Sequence, residues 1–144
     1  MKNLIIVCTL MISSMVGAQN WETNWTVASA KAEKDNQNII LVFSGSDWCG
    51  PCIKLDKEIW STSEFQELSK GSFIMLRADF PRRSKNALAK DQQDQNNSLA
   101  EKYNQNGYFP YVVVLDSKGK VLGSLGYEKT TPKLYFKKLQ AFEK

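Results

Sequence analysis

One segment, Ile39-Ile40-Leu41-Val42-Phe43, is apolar at every position. A continuous run of this length predicts a central strand covered on both faces, as in parallel α/β sheets. Upstream, residues 24–35 place Trp25, Ala28 and Ala32 at helical spacing and stop at Asp35-Asn36-Gln37-Asn38, a helix-breaking stretch. Downstream, Ile53, Leu55, Ile59 and Trp60 carry a second helical pattern, and residues 63–68 form a short further piece behind a Ser or Thr cap. Phe73-Ile74-Met75-Leu76 reads as the next strand. Residues 84–103 have helical spacing with few apolar positions, Leu88, Leu99, Ala100 and Tyr103, and residues 91–97 within them also fit a solvated loop. Residues 104–107 provide a stop, and Tyr111-Val112-Val113-Val114-Leu115 follows as a strong strand. Asp116-Ser117-Lys118-Gly119 is a hairpin turn into a strand over residues 120–125. Thr131-Pro132 then opens a closing helix through Leu134, Leu139 and Phe142. The order βαβαββα, preceded by an N-terminal helix, predicts an α/β fold. Its mixed central sheet has about four strands, flanked by helices on both faces. The chain shows no internal repeat.

The first residues have the form of a secretory signal. Lys2 is a basic head, residues 4–16 are apolar, and Val16-Gly17-Ala18 offers a cut ahead of Gln19. The apolar run is shorter than the roughly 20 residues a membrane span needs, and Ser13-Ser14 interrupt it. The expected organisation is therefore a signal peptide over residues 1–18 and one domain over residues 19–144, periplasmic or secreted, with no stable membrane insertion after cleavage. Cys8 should leave with the signal, so Cys49 and Cys52 would be the only thiols of the mature protein. The formal charge of +4 comes from 19 basic and 15 acidic residues mixed along the chain, which is a solvated surface and no nucleic-acid footprint. With no histidine and two mature cysteines, one chain cannot close a zinc site, so no metal is expected, although copper(I) between two thiolates stays chemically open.

Trp48-Cys49-Gly50-Pro51-Cys52 supplies the candidate chemistry: two thiols three residues apart at a helix entrance form a reversible dithiol/disulfide. Cys49 is the expected nucleophile, because unpaired N–H groups and the positive end of the helix dipole favour a thiolate there. It should be accessible at the helix mouth. Cys52, one turn later, is placed to resolve a mixed disulfide, and its plainer reading is a small buried hydrophobe. Gly50 lets a substrate chain approach, and Pro51 suits a first helical turn because it needs no N–H there. Trp48 is either core or a partly exposed shelf beside the dithiol.

These residues, with Phe109-Pro110 ahead of a strand and the hairpin and helix that follow, resemble the thioredoxin-like family over about residues 36–144. The leader around Trp21 and Trp25 and the segment Ser44-Gly45-Ser46-Asp47 are similar to exported bacterial members. The resemblance implies a thioredoxin fold and a thiol-disulfide oxidoreductase, most simply a protein-disulfide reductase. Its redox centre would be the Cys49–Cys52 disulfide with no further cofactor, its partners disulfide-containing protein substrates and an unidentified electron donor, and its state monomeric. It also implies that Pro110 is cis, opposite the cysteines, leaving the Phe109 backbone free to pair with an extended substrate; Tyr108 and Tyr111 line the groove, sit on its rim or pack in the core. Two departures stand out. The family's buried acid beneath the cysteines matches Phe43, and its nearby lysine falls near Met75, so a water or Asp47, Glu58 or Asp79 would have to move the proton. From another class, a redox-sensing binding module or chaperone without turnover fits the same residues, with the polar stretch of residues 90–106 as its partner surface.

Overall fold

The computed structural model describes residues 19–143; the signal-peptide reading and Cys8 fall outside them. Strand β1 (Trp21–Glu22) leads into α1 (Trp25–Asp35), which starts where the Asn24 side chain accepts the Val27 N–H at 3.0 Å. Helix α1 ends where Asn36 turns left-handed at φ 52°. Next come β2 (Asn38–Ser44), α2 (Gly50–Leu55) and a π-helical turn that continues α2 through Asp56–Trp60. Thr62 caps α3 (Ser63–Ser69), and β3 (Phe73–Asp79) follows. A short 3₁₀ turn, Ser84–Asn86, precedes α4 (Lys90–Tyr103), then β4 (Tyr111–Leu115), β5 (Val121–Leu125) and α5 (Pro132–Gln140), whose cap is Thr131.

The sheet has the order β1-β3-β2-β4-β5, with β1, β3 and β2 parallel and β4 and β5 antiparallel. Side chains alternate across it, so β2 feeds two cores. Ile40 and Val42 join Leu55, Ile59, Trp60, Tyr135 and Leu139 beneath α2, α3 and α5. Ile39, Leu41 and Phe43 join Ala28, Ala32 and Leu99 beneath α1 and α4. The continuous apolar run is thus central and covered on both sides, as its pattern predicts.

The sheet gains an element over the sequence expectation, and the helix expected over residues 84–103 holds only from Lys90, behind a 3₁₀ turn at Ser84–Asn86. The sheet has a fifth strand, because Trp21 and Glu22 pair with Met75 and Leu76 on the edge. Two residues are too few to give an alternating pattern; what fixes them is Trp21 set edge-on to Trp60 at 6.0 Å. Residues 91–97 are helical despite their polarity, because amides anchor them. Gln92 and Gln95 both donate to the Thr23 carbonyl, Gln95 accepts the Trp25 N–H, and Asn96, 1 % exposed, donates to the Asp79 carbonyl. Hydrogen bonding holds this face of α4 where hydrophobic spacing is missing.

Candidate redox-active site

The loop from Gly45 to Cys49 folds back on itself, with the Cys49 N–H bonded to the Gly45 carbonyl at 2.9 Å. This seats Cys49 at the cap position of α2 in an extended conformation, where its Sγ accepts the Cys52 N–H at 3.2 Å. Pro51 lies in the first turn, at no cost in donors. Cys49 and Cys52 are joined as a disulfide with Cα atoms 5.2 Å apart.

Each cysteine is only 4 % exposed, which corrects the expectation of an openly accessible Cys49. What is exposed is their cover: Gly50 and Pro51 face solvent, and a Cβ on Gly50 would meet nothing within 4 Å. Beside them runs an open groove of about 540 Å³, floored by Pro51, Phe109 and Pro110 and walled by Tyr108, Tyr111 and Tyr127. The Phe109–Pro110 bond is cis. Asn104, 5 % exposed, holds the segment leading to it by donating to the Tyr108 carbonyl and accepting the Tyr108 N–H, at 2.8 and 2.9 Å. Sequence reasoning placed Asn104 only in a helix stop; nothing in one sequence marks a reciprocal clamp.

Trp48 is half-buried, and its indole is held on three sides. Its Nε1 donates to the Phe80 carbonyl at 2.7 Å, its ring meets Phe109 edge-on at 5.4 Å, and the Arg82 guanidinium covers it at 3.6 Å. The indole is a bracket between the cysteine loop, the cis-proline loop and the segment after β3. Asp47 reinforces that bracket by accepting the backbone N–H groups of Arg82 and Arg83 and the Asn86 amide. Those bonds, Arg82 first and then Asn86, lower the Asp47 pKa to about 2.

The face beneath the cysteines also differs from its sequence alignment. Phe43 packs in the opposite core, among residues under α1 and α4. Val42 and Ser44 are the β2 residues on the Cys52 side. The parallel register sets Arg77 beside Val42, and Met75 beside Ile40 two residues farther away. A cation is therefore present at the level where a lysine looked absent. A period of two flips the face with each residue, so a one-position misalignment changes the side chain under the cysteines. Arg77 pairs with Asp56 at 2.8 Å and lies over Trp21 at 4.1 Å. The three carboxylates proposed for proton transfer are engaged elsewhere: Asp47 as above, Asp79 by the N–H and hydroxyl of Ser46, and Glu58 by the Tyr127 hydroxyl. Asp56 was missed, although its place four residues after Cys52 on one helix face is a readable signal.

A thioredoxin-like family profile matches residues 20–117. The chain is 34 % identical over 121 residues to the disulfide bond reductase DsbH of Chlamydia pneumoniae, covering 84 % of this chain and 70 % of that protein. It is 26 % identical over 142 residues to the thioredoxin-related protein DsbJ of Chlamydia pneumoniae, covering 89 % of this chain and 40 % of that one. A solved structure of a DsbH oxidoreductase superimposes with a TM-score of 0.81 at 29 % identity, over 98 % of this chain and 94 % of that one. The chain belongs to the thioredoxin-like family, has the thioredoxin fold, and is a thiol-disulfide oxidoreductase.

Proposed function

We propose that this protein is a disulfide reductase of exported proteins, with Cys49 as nucleophile and Cys52 as resolving thiol. The observation that carries the reading is the redox-active pair at the α2 cap, lying against a groove lined with aromatic residues and floored by Pro110. A substrate segment lies extended in the groove beside the Phe109 backbone, its disulfide over Gly50 and Pro51. The Cys49 thiolate, favoured by the Cys52 N–H and the helix terminus, attacks one substrate sulfur and expels the other. A hydrogen bond to a charged acceptor stabilises it by about 1.5–3 kcal/mol. Cys52 then attacks Cys49 Sγ, closes the Cys49–Cys52 disulfide and releases the second substrate thiol. The substrate gains two electrons, and an electron donor returns the pair to the dithiol. Trp48, Gly50 and Pro51 shape the approach. The reading rests further on the signal-like leader, which supports a periplasmic or secreted location, and on reductase relatives. The protein acts as a monomer and uses no cofactor beyond its own disulfide.

The decisive experiment follows insulin disulfide reduction with dithiothreitol as donor. Wild type accelerates it, Cys49→Ser abolishes the acceleration, and Cys52→Ser accumulates a mixed disulfide through Cys49. A Cys49→Ser protein that retains the acceleration refutes the reading, and a wild-type protein that gives none refutes it in favour of a binding module without turnover. Cell fractionation and N-terminal sequencing test export and the cut before Gln19.

A further inference from the structure

Closing the mixed disulfide requires Cys52 to lose its proton while only 4 % of the residue is exposed, and creating charge there is costly unless a partner takes the proton. Behind Cys52 lies a cavity of about 150 Å³ whose lining includes Val42, Ser44, Asp56 and Arg77. That volume accommodates ordered water, and its wall is polar enough to hold it. Cys52 and Asp56 stand four apart on one helix face, where Cβ atoms are about 5–6 Å apart, a span that one water bridges.

The charged groups around this cavity are few. Asp56, from the π-helical continuation of α2, and Arg77, from β3, are the charged residues of its lining; Ser44 and Ser46 add hydroxyls, and the rest of the wall besides Cys52 is apolar. Strand β1 sets Trp21 against the Arg77 guanidinium, while Glu22 is occupied by Lys31. Arg77 Nη2 donates to Asp56 Oδ1 at 2.8 Å and Ser61 Oγ to Asp56 Oδ2 at 3.1 Å, which fixes the carboxylate and leaves it acceptor capacity. Arg77 Nε is buried with no hydrogen-bond partner among the described residues, a spare donor at the cavity wall. The Asp56 side chain is 45 % exposed, so it joins a buried thiol to bulk solvent. The helix widens into its π turn at this residue, a distortion often found at functional sites.

We propose that Asp56 is the proton acceptor for Cys52, working through water in this cavity, and that Arg77 is the positioning residue that holds its carboxylate. The inference rests on Cys52 being the resolving thiol. The Cys52 proton passes through water to the Asp56 carboxylate as the Cys52 sulfur bonds to Cys49 Sγ. The Cys49–substrate bond breaks, the substrate sulfur leaves as a thiolate, and the protonated Asp56 returns its proton to solvent.

The test mixes the reduced protein with 5,5′-dithiobis(2-nitrobenzoate) and follows release of the coloured thiolate. A first phase reports attack by Cys49, and a second reports closure by Cys52. In Asp56→Asn the first phase is expected to be unchanged and the second to slow by on the order of 10²-fold near neutral pH. The defect should shrink as pH rises above about 8.5, the ordinary thiol value, because hydroxide then takes over the role of the carboxylate. Asp56→Glu should restore much of the second phase. Arg77→Gln should slow that phase and shift its pH midpoint, and it carries the test if Asp56→Asn does not fold. A second phase with wild-type rate and pH profile in Asp56→Asn, or in a folded Arg77→Gln where that variant carries the test, overturns the inference alone. Absence of any second phase in wild type overturns the assignment of Cys52 on which it depends.

Discussion

Gly45→Ala perturbs the cysteine loop through space alone. The Gly45 φ lies outside the left-handed region, so alanine suits the backbone, yet its Cβ would sit 2.3 Å from Trp48 Cε2 and 2.6 Å from both Cζ2 and Nε1. Ordinary contact begins near 3.4 Å, so the indole must retreat by about 1 Å. That displacement breaks the bond from Nε1 to Phe80 and weakens the contacts with Phe109 and Arg82. Overpacking costs about 1–3 kcal/mol, a lost hydrogen bond about 0.5–1.5, and an exposed cation–π contact about 0.5–1. Because these losses overlap, the expected total is about 2–4 kcal/mol. For a domain of this size, that lowers Tm by roughly 8–15 °C. Urea denaturation of Gly45→Ala, Trp48→Ala and the double variant forms a mutant cycle. With the indole gone the added methyl meets open space, so Gly45→Ala should cost less than about 0.5 kcal/mol in the Trp48→Ala background. Equal destabilisation in both backgrounds would refute the steric reasoning and place the role of Gly45 in the backbone.

Two further outcomes follow from the groups that brace the site. Asp47→Ala should loosen residues 81–86 and speed their amide exchange. Because the folded Asp47 pKa is depressed to about 2, its contribution is present above the unfolded value near 3.8 and is lost as pH falls through about 2. The exchange difference from wild type should therefore be constant from pH 5 to 7 and shrink toward pH 2, as amide exchange across that range would show. Asn104→Ala removes both part-buried bonds to the Tyr108 backbone, each worth about 0.5–1.5 kcal/mol in urea denaturation. It should raise KM for a peptide disulfide more than it lowers kcat, since the clamp shapes the groove wall and not the sulfurs.

Much of this protein is legible from the chain itself, because local physics wrote it there. The run from Ile39 to Phe43 can be stable only when covered on both faces, and it is. Asn24, Thr62 and Thr131 cap helices, Pro51 and Pro132 lie in first turns, and the Cys49–Cys52 spacing places both sulfurs within one helical turn. Such signals involve neighbours a few residues apart, and the sequence displays neighbours directly. Tertiary packing alone decided what joins distant segments. It placed Trp21 on the sheet edge, bound polar α4 through its amides, and set the Asn104 clamp beside Pro110. It also determined which face of β2 looks at Cys52, which put Val42 there in place of Phe43, and the pairing with β3 set Arg77 beside Val42 with Met75 two residues farther away. Strand register carries no local signature, and a shift of one residue turns a side chain from one core to the other. The chemistry of the two sulfurs was therefore written along the chain, and the surroundings that govern their protons were settled only when the strands aligned.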